Sequence, residues 1–203
     1  MIIIQQFQKI RAMKKLVLIF VITMNSVVFS QTKISHTNFN YTLLEKLVVE
    51  KINNYRDSLK LKTLYTSHIL RESFSCITAS TNAKQDKLYH VPYATWNKDA
   101  PKLYNELYNL TNGKCGSKNP NTLLIVQRPE IIQAFTCLTF KTYEELSDSI
   151  LRCWLNSKGH KAIIELVFDQ ENVHGPAGIS CCVKKSSTGK YYVAVGFIQL
   201  GYI

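Results

Sequence analysis

Hydrophobic residues in the first half of the chain recur at helical spacing. Over residues 44–59 the apolar side chains fall three and four positions apart, and a Thr42-x-x-Glu45 pattern typical of a helix N-terminus lies at their start. A second helical pattern covers 67–87 and must end before Pro92, because the residue before a proline avoids helical angles. The pattern therefore predicts two amphipathic helices, followed by a shorter one over 100–110.

The second half of the chain changes to the short apolar runs of β-strands. Four segments have this pattern: 122–126, 131–135, 178–183 and 191–200. Arg128-Pro129 predicts a bend between the first two, and the basic stretch 184–190 predicts a hairpin turn between the last two. A second capping pattern, Thr142-x-x-Glu145, predicts a helix that ends near Gly159. Helices followed by interleaved strands indicate an α+β fold.

The N-terminus has the pattern of a secretory signal. Met13-Lys14-Lys15 precedes an apolar run over 16–24, and residues 28–30 offer a cleavage site before Gln31. We predict three segments: a signal peptide over 1–30, with Met13 as an alternative initiator, a polar arm over 31–40 and a single domain over 41–203. The apolar run is short for a transmembrane span, and a retained N-terminal anchor is the alternative. We therefore expect a secreted or periplasmic protein with no transmembrane span in the mature chain.

The charge of the chain is positive but not extreme. The formal net charge is +11, and removal of the predicted signal peptide, with its four basic residues, lowers it to +7. The lysines are spread along the chain without the pattern of a nucleic-acid module, so we expect no nucleic-acid partner. Gly-rich phosphate loops, G-x-S-x-G and H-E-x-x-H are absent from the sequence, which disfavours nucleotide hydrolases, serine esterases and the common zinc proteases.

All six cysteines lie after the predicted signal peptide: Cys76, Cys115, Cys137, Cys153, Cys181 and Cys182. An even number in an exported chain predicts disulfides, although the sequence does not choose among the connectivities. Neighbouring residues of a strand point to opposite faces of the sheet. We therefore expect Cys181 and Cys182 to have different partners, or one of them to be free. A cysteine metal cluster is disfavoured because the chain has no C-x-x-C pair.

Three blocks of the sequence resemble the CAP superfamily, also called the SCP or pathogenesis-related-1-like family, in its bacterial form. The stretch 44–56, Leu-Glu-Lys-Leu-Val-Val-Glu-Lys-Ile-Asn-Asn-Tyr-Arg, is similar to the first helix of the family. Residues 153–164 resemble its W-x-N-S-x-G-H block, and 177–179 with 191–197 resemble its closing hairpin. The resemblance implies a three-layer α-β-α sandwich around a mixed, mainly antiparallel sheet.

The resemblance also implies a central cleft lined by histidines and acids. His160 matches the histidine of the G-H motif, and His90 is similar in place to the family's first cavity histidine. Glu130 takes the place of one glutamate, whereas Ser157 stands where relatives can carry the second acid. Two neutral imidazoles and a carboxylate can hold Zn²⁺ or another divalent cation weakly, with positions left open. On residue types alone, a histidine at a helix end and a glutamate after a proline can equally be structural capping groups.

Two functions remain open after this reading. The first is a non-enzymatic binding protein whose cleft holds a divalent metal and whose surface engages an extracellular lipid, glycan or protein. The second is a metal-assisted hydrolase acting on peptides, with His90, Glu130 and His160 as candidate catalytic residues that supply metal ligands and a general base. We favour the binding protein, because the sequence shows no nucleophile-base pair and Ser157 replaces one of the usual acids.

Overall fold

A computed structural model describes residues 31–91, 100–113, 123–127, 129–136, 139–167 and 174–202. The predicted signal peptide at 1–30 lies outside these residues, as do Cys115 and Cys137. The chain divides into two compact units, Met1–Gln31 and Thr32–Ile203, and every element named below belongs to the second. In these described ranges, no helix has the length and apolarity that a membrane crossing requires.

The described residues contain both helices and strands, as expected of an α+β fold. The helices are α1 (Tyr41–Ser58), α2 (His68–Leu70), α3 (Cys76–Gln85), α4 (Ala100–Leu110), α5 (Tyr143–Leu155) and α6 (Lys158–Ile164). The strands are β1 (Tyr65–Thr66), β2 (Leu123–Gln127), β3 (Glu130–Phe135), β4 (His174–Lys185) and β5 (Tyr191–Tyr202). A π-helical turn, Arg71–Ser75, joins α2 to α3. The two predicted helices of the first half and the four predicted strand segments are therefore confirmed.

The strands form one mixed, mainly antiparallel sheet. Among the described residues its order is β1-β4-β5-β2, and β3 also pairs with β5. Only the short β1 pairs parallel, with β4, whereas β2, β3 and β4 all pair antiparallel to β5. The long hairpin of β4 and β5 is the centre of the sheet because β5 has neighbours along both of its edges.

Helices cover both faces of the central hairpin. Ile179, Cys181 and Val183 of β4 belong to the main hydrophobic core with residues of α1 and α5. On the other face, Cys182 packs in a separate small cluster with Cys76 and Ala79 of α3. This alternation follows from the strand period of two. It produces the three layers that the sequence resemblance implied.

Two helix boundaries differ from the predicted ones. The cap of α1 is Asn40, whose Oδ1 accepts a hydrogen bond from the Leu43 N–H at 3.0 Å, so the helix begins before Thr42. The predicted helix end near Gly159 is wrong, because α5 ends at Leu155 and His160 lies inside α6 instead of after a helix. Ser157 causes the break, since its extended backbone (φ −95°, ψ 118°) interrupts one helix before the next begins.

One disulfide joins α3 to the sheet. Cys76 and Cys182 are bonded, with their Cα atoms 5.0 Å apart. Cys181 is free and buried, and Cys153 is free and exposed. The expectation that Cys181 and Cys182 differ in their pairing is therefore confirmed.

The polar segment before α1 lies against the start of α5. Lys33 forms an isolated antiparallel bridge with Thr142, and the Tyr143 N–H donates to the Thr32 carbonyl at 3.1 Å. The Thr142 hydroxyl meanwhile caps α5 by accepting from the Glu145 N–H at 3.2 Å, as its capping pattern predicted. These contacts fix the entry to α1 before the domain core begins.

Candidate functional site

A buried carboxylate and an exposed imidazole form the centre of the candidate site. Glu130 is the first residue of β3 and lies opposite Gly196 of β5. Its Oε2 is 2.7 Å from His90 Nδ1. The Glu130 side chain is 1% exposed, whereas the His90 side chain is 58% exposed. The carboxylate therefore holds the imidazole from the protein side and leaves the rest of the ring accessible.

The turn after α3 positions His90. α3 ends at Gln85, and its C-cap residue Asp86 adopts a left-handed conformation with φ 49°. Asn82 Oδ1 accepts a hydrogen bond from the Tyr89 N–H at 2.9 Å, and Asp86 Oδ1 accepts one from the Tyr192 hydroxyl at 2.8 Å. The segment that leads to His90 is thus tied both to its own helix and to β5.

The second histidine, His160, is carried by the short helix α6 and is half-buried. Burial lowers the pKa of His160 below its usual value, and the charge of His90 lowers that pKa further. Of the three predicted site residues, the structure joins His90 and Glu130 by a hydrogen bond, and it places His160 on α6.

The end of α1 secures the helix that carries His160. Arg56 is fully buried, and its NH1 group donates to the carbonyl oxygens of Ile164 at 2.7 Å and Leu166 at 2.9 Å. The Tyr55 hydroxyl donates to Glu165 Oε1 at 2.6 Å. These donors meet the C-terminal end of α6, where helix carbonyl groups lack partners within the helix.

Polar groups without a partner surround the Glu130 carboxylate. Glu130 Oε1 and Thr78 Oγ1 are both buried and have no hydrogen-bond partner in the described part of the chain. Burial raises the pKa of Glu130, while the nearby Thr78 hydroxyl and His90 oppose that rise. Thr78 thus lies close enough to Glu130 to influence its carboxyl group. Sequence reasoning missed Thr78, and its position four residues before Asn82 on the buried side of α3 was the available signal.

The protonation of the His90–Glu130 pair determines which nitrogen could bind a divalent metal. When Glu130 is ionised it can only accept, so His90 Nδ1 must carry the proton and Nε2 is left with a free lone pair. A carboxylate behind a metal-binding histidine is the usual outer partner of such a ligand. Within the described ranges, no group of three or more His, Cys, Asp or Glu side chains gathers around one point that could hold a metal ion. Among the described residues the site is therefore a His90–Glu130 pair, whose imidazole keeps one nitrogen for a ligand.

Comparison with known proteins gives a fold likeness at low similarity. No protein-family model matches the chain, and no curated protein matches it. An outer surface protein from Borrelia burgdorferi is similar at 14% identity and a TM-score of 0.45, over 75% of this chain and 90% of that one. A cysteine-rich secretory protein from Staphylococcus aureus follows at 13% identity and a TM-score of 0.38. An extracellular protein from Bacillus anthracis that contains an SCP domain is 16% identical, with a TM-score of 0.37.

The coverage of the last two structures differs from that of the first. Each covers 78% of this chain, but this chain spans only 39% of the S. aureus protein and 41% of the B. anthracis protein. The described part of the chain is an α+β protein with a mixed, mainly antiparallel sheet.

Proposed function

We propose that this chain is a secreted or periplasmic binding protein whose cleft takes a divalent cation, such as Zn²⁺, through His90 and His160. The observation that carries the proposal is the 2.7 Å contact of His90 Nδ1 with Glu130 Oε2. It orients the imidazole and directs its other nitrogen away from the carboxylate. The cation would be held weakly, because two imidazoles are fewer protein ligands than the three or four of ordinary zinc sites.

The protonation state of His160 favours cation binding near neutral pH. A metal ligand must be a neutral imidazole, and the lowered pKa of His160 keeps it neutral to a lower pH than a free histidine. Glu130 supplies the negative charge that a cation needs nearby. When bound, the cation would offer open coordination positions to water or to a ligand.

A disulfide and the N-terminal sequence support the extracellular part of the proposal. The Cys76–Cys182 disulfide belongs to an oxidising compartment. The pattern over residues 1–30 is that of a secretory signal. The partner of the protein is then an extracellular lipid, glycan or protein.

Calorimetric zinc titration tests the cleft. At pH 7.5 we expect measurable binding that is lost in His160→Ala, and at pH 5.5 we expect weaker binding, because protonated imidazole cannot bind metal. Glu130→Gln should weaken affinity by about 10–100-fold, the usual effect of removing an outer partner of a metal ligand. His68→Ala, at an exposed histidine of α2, is the matched control. Undiminished affinity in His90→Ala/His160→Ala would refute the proposal.

A metal-assisted peptide hydrolase is the second candidate. The observation that favours it is the buried Glu130 with a raised pKa beside an exposed histidine, a combination suited to proton transfer. Binding is preferred because, in the described part of the chain, no hydrogen bond joins His90 or His160 to a Ser, Thr or Cys side chain. Peptide cleavage that is lost with EDTA and in Glu130→Gln would favour the hydrolase.

A further inference from the structure

A concavity with three lysines lies where α3 passes over the end of β4. The Cys76–Cys182 disulfide joins the start of α3 to β4, and both elements continue beyond it. The concavity has a volume of about 440 Å³ and is lined by Ser80, Ala83 and Lys84 of α3, by Lys184 and Lys185 of β4, and by Ser187. Ala83 and the two serines are small, so they leave this space between the longer lysine side chains.

The positive charge of the concavity is not neutralised by the described residues. None of its lining residues is acidic. In the described ranges no carboxylate forms an ion pair with Lys84, Lys184 or Lys185, although Lys185 Nζ also lies 5.3 Å from the ring centroid of Tyr191. Three lysine residues thus line one small space that has no acidic lining residue, and a bound anion would complement their charge.

The acid that follows Lys84 in the sequence is already engaged. Asp86 accepts hydrogen bonds from the Tyr192 hydroxyl at 2.8 Å and the Thr188 hydroxyl at 3.0 Å, and Lys190 Nζ lies 3.3 Å from it. These partners lower the pKa of Asp86, the Tyr192 hydroxyl most of all. Asp86 thus holds the hairpin turn against α3 and keeps the lysines of both elements together.

We propose that this concavity binds a phosphate-bearing group. A phosphate ester carries up to two negative charges and several acceptor oxygens, which suit several ammonium groups and the hydroxyls of Ser80 and Ser187. A single carboxylate has one charge and two oxygens, so it would satisfy fewer of these donors. The volume is within the range of about 300–1,000 Å³ for small-molecule sites, so a phosphate and its neighbouring atoms fit. None of the lining residues belongs to the His90 site, so this inference does not depend on cation binding.

The test measures phosphate binding on the whole exported protein by two routes. In the first, inorganic phosphate is titrated at low salt while amide signals are followed by NMR. In the second, the protein is sedimented with vesicles of phosphatidylglycerol or of phosphatidylcholine. The variant Lys84→Gln/Lys184→Gln removes two charges from the concavity. Lys102→Gln/Lys141→Gln is the matched control, because it removes two exposed lysines that do not line the concavity.

The expected result is saturable phosphate binding with the largest shifts at Lys84, Lys184 and Ser187. Binding should fall by about tenfold or more in Lys84→Gln/Lys184→Gln, because two close charge contacts are lost. It should be unchanged in the control pair and retained in Lys84→Arg/Lys184→Arg. Binding to phosphatidylglycerol without binding to free phosphate would identify a lipid headgroup as the source. Equal losses in the two glutamine pairs, or no binding by either route, would overturn the proposal.

Discussion

Arg56 connects the end of α1 to the end of α6, and its replacement by methionine should be costly. Its guanidinium donates to the Lys62 carbonyl at 3.0 and 2.8 Å and to the carbonyls of Ile164 and Leu166 at 2.7 and 2.9 Å. Methionine fills similar space but leaves all three carbonyl oxygens without this donor. Each buried group that loses its partner costs about 1–3 kcal/mol.

The substitution also removes a buried charge, and this offsets part of the stability that is lost with the hydrogen bonds. Burial lowers the pKa of Arg56 to about 10, which shows that the protein disfavours the charged form relative to water. Subtracting that penalty from the loss at three carbonyls, we expect Arg56→Met to lower the free energy of unfolding by about 3 kcal/mol. Whole domains are stable by about 5–15 kcal/mol, so the change is large.

Urea unfolding followed by circular dichroism measures this change. With a typical slope of about 2 kcal/mol per molar urea, the midpoint should fall by about 1.5 M. Arg152→Met, at an exposed position of α5, is the matched control and should leave the midpoint within about 0.3 M. Arg56→Lys should fall between the two, because one ammonium cannot span the carbonyls that the guanidinium fork joins. A loss below about 1 kcal/mol in Arg56→Met would refute the assignment of these hydrogen bonds.

Three further predictions concern the sheet and the site. Burial raises the pKa of Glu130, so the folded state should become less stable as the pH rises from about 4.5 through that raised value. In a series of urea-unfolding measurements at different pH, Glu130→Gln should flatten this part of the stability curve. An unchanged slope would contradict the burial of the charge. Gly196→Ala should cost about 3 kcal/mol in thermal unfolding, since an added Cβ would lie 2.6 Å from Phe74 Cε1; a near-neutral effect would show that this ring can move. Cys76→Ala/Cys182→Ala should lower the free energy of unfolding by about 2–4 kcal/mol, to be compared with wild type under oxidising and reducing conditions.

The fold could be predicted largely because its periodicities are local. The spacing of Leu44, Val48 and Ile52 indicates the buried face of α1, and these residues are in the core. The division between α5 and α6 was not predictable in the same way. The glycine of Lys158-Gly159-His160 predicts a helix end. In the structure these residues belong to α6, and the Arg56 guanidinium, 108 positions away, donates to the Ile164 carbonyl at the end of that helix. Local signals do not report such distant donors.

The sequence predicted only one contact of the candidate site. His90, Glu130 and His160 came from a resemblance of motifs, and the structure joins the first two by a hydrogen bond. The sequence pattern treats Glu130 as a ligand equal to the histidines. In the structure one of its oxygens is occupied by His90, and the other is buried without a hydrogen-bond partner among the described residues. This difference depends on the packing of α3 against β3, which no short sequence window contains.

The adjacent pair Cys181-Cys182 makes the disulfide a reporter of how the central hairpin aligned during folding. If β4 slipped by one residue, each of its side chains would move to the opposite face of the sheet. Cys181 would then meet Cys76 in place of Cys182, and Val183 would leave the main core. In the native alignment, burial raises the pKa of Cys181 well above its usual range, which keeps this neighbour in the poorly reactive thiol form. Oxidation therefore joins Cys76 to Cys182 in the correctly aligned chain and leaves Cys181 as a poorly reactive thiol, so a misaligned chain would be recognisable by a Cys76–Cys181 link.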